Sequence, residues 1–345
     1  MMKLEIKKIK GKNYLYIRDK VRVNDKSIAI SFYIGRLEKT TPERFLDKLA
    51  EYQIIRLKTF TDFWLKKQRR YLDDRSALNI EVLHYSYKLF REHYPDELRR
   101  YEQACFARYV QGTTAIEGNT ITLRQAEELL EHNITPPGKS LREVYEIVNF
   151  RKLREFLGEY KGDVSERLIR KIHAIIMENL LEAPGEYRRI QVLIEKAEHE
   201  PPPPFEVPEL MKVLIEWYRR NRRRMHPFEL AVLLHTKFVT IHPFVDGNGR
   251  VARALLNFVL QKHGYPTLYL GLEHREKYLD AVAEGNKGNY KPIIEFMYEV
   301  YLQQHNTILE EVHSKIERRE VRALPEMESL LREFLRLKLS SDFGL

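Results

Sequence analysis

The sequence is short of several features that would place it outside the cell interior. It has a single cysteine, Cys105, so no disulfide can form within the chain, and one thiol fits a reducing compartment. Cys105 lies in an apolar helical stretch and reads as a buried, inert side chain. No apolar run approaches the ~20 residues that span a bilayer. The opening Met1-Met2-Lys3-Leu4-Glu5-Ile6 lacks the apolar core of a signal peptide. A cytoplasmic protein with no membrane partner is the expectation. Histidines at metal-ligand spacing are also wanting, since His226, His235 and His242 make no convincing zinc set.

The chain has 345 residues, 43% hydrophobic and 32% charged, enough for one large domain with appendages. The net charge of +9 is unevenly spread. Residues 1–50 hold 13 Lys and Arg against 6 Asp and Glu, hence +7, which leaves +2 for the other 295. A basic module of this kind attracts nucleic acid or an acidic protein, and a solvated basic face reads equally well.

The stretch around which the chain is organised is His242-Pro243-Phe244-Val245-Asp246-Gly247-Asn248-Gly249-Arg250-Val251-Ala252-Arg253. Before it, Leu230, Leu233, Leu234, Phe238 and Ile241 recur at helical spacing. After it, a helix over 250–263 is closed by Gly264 and Pro266. The glycines relax φ, Asp and Asn favour turns, and the loop feeds straight into a helix N-terminus, so its N–H groups form an anion site. Arg250 and Arg253, three apart, can face one side. Two guanidinium forks beside a glycine turn suit a polyphosphate. Asp246 is a hard oxygen ligand fit for nucleotide-borne Mg²⁺ (or Mn²⁺), and His242 can take a proton near neutral pH.

This run resembles the Fic family signature, His-Pro-Phe-x-Asp-Gly-Asn-Gly-Arg-x-x-Arg, at every fixed position. The resemblance covers roughly residues 102–298. It implies a mainly α fold, a Fic-type helical bundle with a short β-hairpin flap, that transfers a nucleotide monophosphate, most often AMP from ATP, to a protein hydroxyl. By position, His242 would be the general base and Asp246 would hold the metal. Gly247, Asn248 and Gly249 would cradle the α- and β-phosphates. Arg250 would support the phosphates, Arg253 would pair with the γ-phosphate, and Phe244 would plug the core. Thr113, Glu117 and Gly118 resemble the family's inhibitory motif, Ser/Thr-x-x-x-Glu-Gly/Asn. A carboxylate there would take Arg253 away from the γ-phosphate and misalign the α-phosphate. In some relatives the same Glu helps water remove AMP, so reversal belongs to the implied activity. Tyr278 and Asn286 would line the adenine pocket, with Leu279 standing where many relatives have a second tyrosine. Ile190, Gln191, Val192 and Leu193 would form the flap that aligns the target by strand pairing. The target would be a Ser, Thr or Tyr of another protein or of the chain itself, and homodimers are common in such proteins. Transfer of UMP, GMP, phosphate or phosphocholine, or a nucleotide sensor that binds nucleic acid through residues 1–50, are the rival readings.

Along the chain, strands are expected at 3–9, 13–18 and 28–34, forming a small antiparallel meander with turns at 11–13 and 24–27. Pro42 opens a helix. Helical patterns cover 77–110 with a break at Pro95, then 122–130, 141–156, 164–180 with Ser165 as N-cap, and 207–220. Ile190, Val192 and Ile194 alternate as in a short strand before the stiff Pro201–Pro204 run. His173 and His235 read as packed rather than catalytic. The division expected is 1–72, a basic β-rich module with its helix; 73–305, the helical domain; and 306–345, an amphipathic extension that either packs back on the core or joins two subunits.

Overall fold

A computed structural model describes residues 2–193, 199–308 and 330–337. The chain divides into two compact units. The first gathers Met1–Lys66, Leu78–Pro95 and His305–Leu345; the second gathers Lys67–Ala77 and Asp96–Gln304. The N-terminal module, residues 78–95 and the C-terminal segment therefore share one unit, a grouping that linear reading does not suggest.

In the first unit, β1 (Lys3–Ile9), β2 (Lys12–Val23) and β3 (Lys26–Arg36) form the expected antiparallel meander in the order β1-β2-β3. The hairpins turn where backbone with positive φ is available, at Lys10 (48°) with Gly11 (75°) and at Asn24 (53°). Strand alternation sends Leu15 and Ile17 inward. They meet Phe45, Leu49 and Tyr52 of α1 (Pro42–Leu65), whose start is capped by the Thr41 hydroxyl accepting from the Arg44 N–H. The helical stretch 330–337 packs back on this core through Leu330 and Phe334, and the Phe334 ring stacks on Phe45 at 4.2 Å. A second cluster joins Val21 and Val23 to Phe60 and Trp64 and to Tyr85 and Leu89 of α2 (Asp74–His93).

The second unit is helical. It contains α3 (Pro95–Ala115), α4 (Leu123–His132), α5 (Leu141–Glu159), α6 (Glu166–Ile176), α7 (Val207–Asn221), α8 (Pro227–Ile241), α9 (Asn248–Lys262), α10 (Arg275–Asn286) and α11 (Lys291–Gln304). Thr122, Ser140 and Ser165 cap α4, α5 and α6. In α8 nearly every side chain is buried, the pattern of a helix surrounded by others. Its N-terminal Glu229 accepts the backbone N–H groups of Arg70, Tyr71 and Leu72, which anchors the segment before α2. Among the described residues no helix is long and apolar enough to cross a membrane. Cys105 is buried, and burial pushes its thiol up to about 11, so it stays protonated.

Two expectations need correction. The helix after the loop starts at Asn248 rather than Arg250, because Gly247 takes the left-handed conformation (φ 79°) and Gly249 is already helical. No strand forms over Ile190, Gln191, Val192 and Leu193; Ile194, the third member of the alternation, lies outside the described residues.

Candidate active site

The site is the junction of α8 and α9. α8 ends on His242, whose backbone is left-handed (φ 50°) and whose N–H reaches back to the Phe238 carbonyl at 3.1 Å. Phe244 drops into the core and stacks on His173 at 3.7 Å. The Asn248 side chain closes the loop, donating to the Phe244 carbonyl (2.8 Å) and accepting the Phe244 N–H (2.9 Å). His173 fixes the far side. Its Nδ1 accepts the Gly185 N–H (2.7 Å), so its Nε2 carries the proton and donates to the Asp246 carbonyl (3.0 Å). Gly247 must stay a glycine, since a Cβ there would lie 2.7 Å from the Met177 sulfur at a positive φ. The loop is thus shaped by side chains that do not themselves face a ligand, while the first N–H groups of α9 remain free of helical partners.

Both arginines of the motif are buried and each is engaged by acids. Arg250 donates from Nη2 to Asp246 Oδ1 (3.0 Å) and from Nη1 to Glu146 Oε1 (3.2 Å). Arg142 reaches the other oxygen of Asp246 at 3.2 Å. The Asp246 carboxyl lies below the usual carboxylate range: burial works against ionisation, but Arg250 and the Gly247 N–H outweigh it. Arg253 donates from Nε to the Thr113 hydroxyl (2.6 Å) and from Nη2 to the Thr113 carbonyl (2.9 Å) and Glu117 Oε1 (2.7 Å). Its Nη1 lies 3.4 Å from the Tyr278 hydroxyl, which His235 Nε2 also meets at 2.9 Å.

Glu117 follows the end of α3 in a turn that needs Gly118 at φ 103°. Its Oε1 would sit 2.5 Å from a Cβ placed on Gly249, so the carboxylate covers the start of α9 as well as one arginine. The turn is braced from α5. Asn119 donates to Glu146 Oε2 at 2.9 Å, and Glu143 accepts from the Thr120 N–H and hydroxyl. Glu146 therefore joins the Glu117 turn to Arg250 through its two carboxylate oxygens.

His242 is half-buried, and burial lowers its imidazole to about 4, while the Val239 carbonyl pulls the other way. The ring is neutral at pH 7. Arg188 holds the same turn from outside. Its Nε donates to the His242 carbonyl (2.8 Å), its Nη1 to the Ile190 carbonyl (3.2 Å) and its Nη2 to the Pro202 carbonyl. The Gln191 amide donates to the Pro201 carbonyl at 2.8 Å. The segment before the motif is pinned beside His242 by side chains rather than by a strand ladder, and Ile190 and Leu193 are 61% and 84% exposed.

His242, Asp246, Gly247, Gly249, Arg250, Arg253 and Glu117 thus share one site. Tyr278 and Asn286 lie on α10, but Tyr278 is 3% exposed and its hydroxyl supports Arg253. Asn286 accepts the Thr240 hydroxyl at 2.8 Å. The Asn248 side chain is committed to the loop through both of its bonds to Phe244. Sequence reading missed Arg188, Arg142, Glu146 and the bracing by His173 and Asn248. Only Asn248 carried a local signal, its place four residues after Phe244 in the loop.

Replacing Asn248 with Ala removes two hydrogen bonds and strands the Phe244 N–H and carbonyl. The expected loss is about 2–4 kcal/mol, a melting midpoint lower by several degrees. An unchanged midpoint in thermal unfolding would mean that the loop keeps its shape without this brace.

Acid should weaken the unit. Burial lowers His173 and His242 to about 4 and His235 to about 3 from an ordinary 6.5. The unfolded chain takes up protons below about 6.5 that the folded chain refuses until about 4, so stability is full above the upper value and falls through that window. At pH 5 each ring contributes on the order of 1–2 kcal/mol of loss. Thermal midpoints at pH 7.5 and pH 5 check this; equal midpoints would contradict it.

The centre of the helical unit is a glycine-loop helix start flanked by a histidine, an aspartate and two arginines, the kind of arrangement in which helix N–H groups and guanidinium forks can hold an anion. Residues 163–260 match the Fic/DOC family model. It is 33% identical over 206 residues to "Protein adenylyltransferase Fic" of Drosophila ananassae, covering 58% of this chain and 41% of that protein. The protein of the same name from Nematostella vectensis is 30% identical over 213 residues, covering 58% of this chain and 48% of that one. The chain spans less than half the length of these curated relatives. Among solved structures, a Fic domain containing signaling protein from Bacteroides thetaiotaomicron superposes with a TM-score of 0.62 at 26% identity, covering 67% of this chain and 97% of that one. Fic-1 from C. elegans superposes at 0.57 and 27% identity, covering 79% and 80%.

Proposed function

We propose that this chain transfers AMP from ATP to a hydroxyl of a protein, itself included among the targets, and that Glu117 holds the activity down. The observation that carries this reading is the 2.7 Å pairing of Glu117 with Arg253 directly over Gly249. A carboxylate occupies the place where an anion would be held by a helix start and a guanidinium. The names of the curated relatives support the reaction type.

In this reading the triphosphate lies along the loop, its oxygens on the N–H groups of α9, with Arg250 and Arg253 as counter-charges. The neutral His242 ring removes the proton of the target hydroxyl. The freed oxygen attacks the α-phosphorus, the α–β bridge breaks, and pyrophosphate leaves with the electron pair. Arg188 keeps the histidine turn in register through the His242 carbonyl. Among the described residues no cluster of three or more metal-ligating side chains exists. The single ionised Asp246, with its side chain 39% exposed, suits an ion whose remaining ligands are phosphate oxygens and water, as Mg²⁺ prefers. Such an ion would neutralise phosphate charge at Asp246. Gln191 and Leu193 are exposed in the segment beside His242, where an extended target segment would lie.

The test is mass spectrometry of the Glu117→Gly chain after incubation with Mg²⁺, cell lysate and each of ATP, UTP, CTP and GTP. One AMP added to a protein hydroxyl, from ATP in preference to the others, is expected. Preference for another nucleotide would move the reading to a different nucleotidyl transfer, and no addition from any of the four would overturn it.

A further inference from the structure

The sheet of the first unit has an outer face that the core does not use. β2 sends Leu15, Ile17, Val21 and Val23 inward, so Tyr14, Tyr16, Arg18, Lys20 and Arg22 project from the opposite side. Strand register then assembles an aromatic patch. Tyr16 pairs with Tyr33 of β3 and Tyr14 pairs with Lys7 of β1. The Tyr33 ring lies 5.3 Å from Tyr16 and 6.3 Å from Tyr14, and Lys7 Nζ stands 4.8 Å over the Tyr16 ring. Tyr33 is 47% exposed. The acid on this face, Glu5, is taken by Arg18 at 2.6 Å and lies 3.9 Å from Lys7 Nζ, one acid against Lys7, Arg18, Lys20 and Arg22, so the face stays net positive. The excess of +7 over residues 1–50 is thus gathered on a module whose sheet carries phenol rings at its centre.

We propose that this face binds single-stranded nucleic acid, with bases stacking on Tyr16 and Tyr33 and phosphates meeting Lys7, Lys20 and Arg22. The chemistry selects the occupant. Basic side chains alone would attract any polyanion. Aromatic rings on an open sheet add affinity only for a partner that exposes flat π-faces along a phosphate chain, which a single strand does. A duplex hides its base faces, and an acidic protein segment has none to offer. The inference stands apart from the nucleotidyl transfer and does not rest on it.

The experiment uses the full chain and fluorescein-labelled twelve-nucleotide dT and rU strands, read by anisotropy at low and physiological salt. Binding to one or both strands is expected, weakening as salt rises because counterions are released. The two strands tell DNA from RNA. The Tyr16→Thr/Tyr33→Thr chain, which puts strand-favouring β-branched residues in place of the rings, should bind at least tenfold more weakly with an unchanged salt slope. The Lys7→Gln/Lys20→Gln chain should show a shallower slope. The control Arg99→Gln/Arg100→Gln chain removes two exposed charges from α3 and should bind as the parent does. Circular dichroism confirms that each variant is folded. The proposal is overturned by no binding at low salt, by tyrosine variants that bind as tightly as the parent, or by duplex DNA or polyglutamate binding as well as the single strands.

Discussion

Replacing Glu117 with Gly is expected to raise incorporation of label from α-labelled ATP by about a hundredfold or more, since misplacing reacting groups by an ångström costs that order in rate. Two contacts change together in this variant. Arg253 loses its carboxylate partner but keeps the Thr113 hydroxyl and carbonyl, so the guanidinium stays in place with one fork free. The start of α9 loses the oxygen that lies over Gly249, so phosphate can approach the N–H groups there. Gly at 117 is tolerable because the residue ends a helix rather than occupying its interior. Glu117→Gln separates the two effects: it removes the charge and keeps the volume, and intermediate activation is expected. Incorporation that does not rise in either variant, with the fold intact, would remove Glu117 from any inhibitory role.

In the Glu117→Gly background, replacing His242 with Ala should lower incorporation by roughly 10²–10⁴-fold, the range for a lost general base. Position 242 needs a left-handed backbone, which Ala adopts at a cost. His242→Asn is the companion variant, because Asn tolerates that conformation and cannot act as the base. Equal loss in both variants, with nucleotide binding retained, assigns the effect to the missing base. The pH profile gives an independent reading. The ring titrates at about 4, so the limb of the rate profile that reports it should be flat from pH 8 to pH 6. Activity surviving in His242→Asn would assign proton removal elsewhere.

What could be read from the sequence follows from the distance over which each feature is encoded. The loop and the two helices that flank it are written within the stretch from Leu230 to Leu260, and helical spacing with glycine turn residues sets them. The β meander was legible for the same reason: alternation and turn residues are local, although β2 runs five residues past the expected end at 18. Glu117 was not legible from spacing, because it meets Arg253 across 136 positions; only likeness to a known motif pointed to it. Nothing local announces Arg188, 54 positions from His242, or Glu146 and Arg142, each 104 positions from its partner in the motif. The alternation of Ile190 and Val192 misled because it implies a half-buried strand. Ile190 instead faces solvent, and Arg188 and Gln191 hold the segment by their side chains.

The stacking of Phe334 on Phe45 also bears on how the protein can be handled at the bench. A clone that stops at Gln304 keeps the whole run from His242 to Arg253 and looks like a natural minimal version, yet it strips Leu330 and Phe334 from the hydrophobic patch formed by Leu4, Leu15, Phe45 and Leu49. Such a truncation should be recovered largely as aggregate, whereas a stop after residue 337 should leave the yield of dispersed protein close to that of the longer gene product.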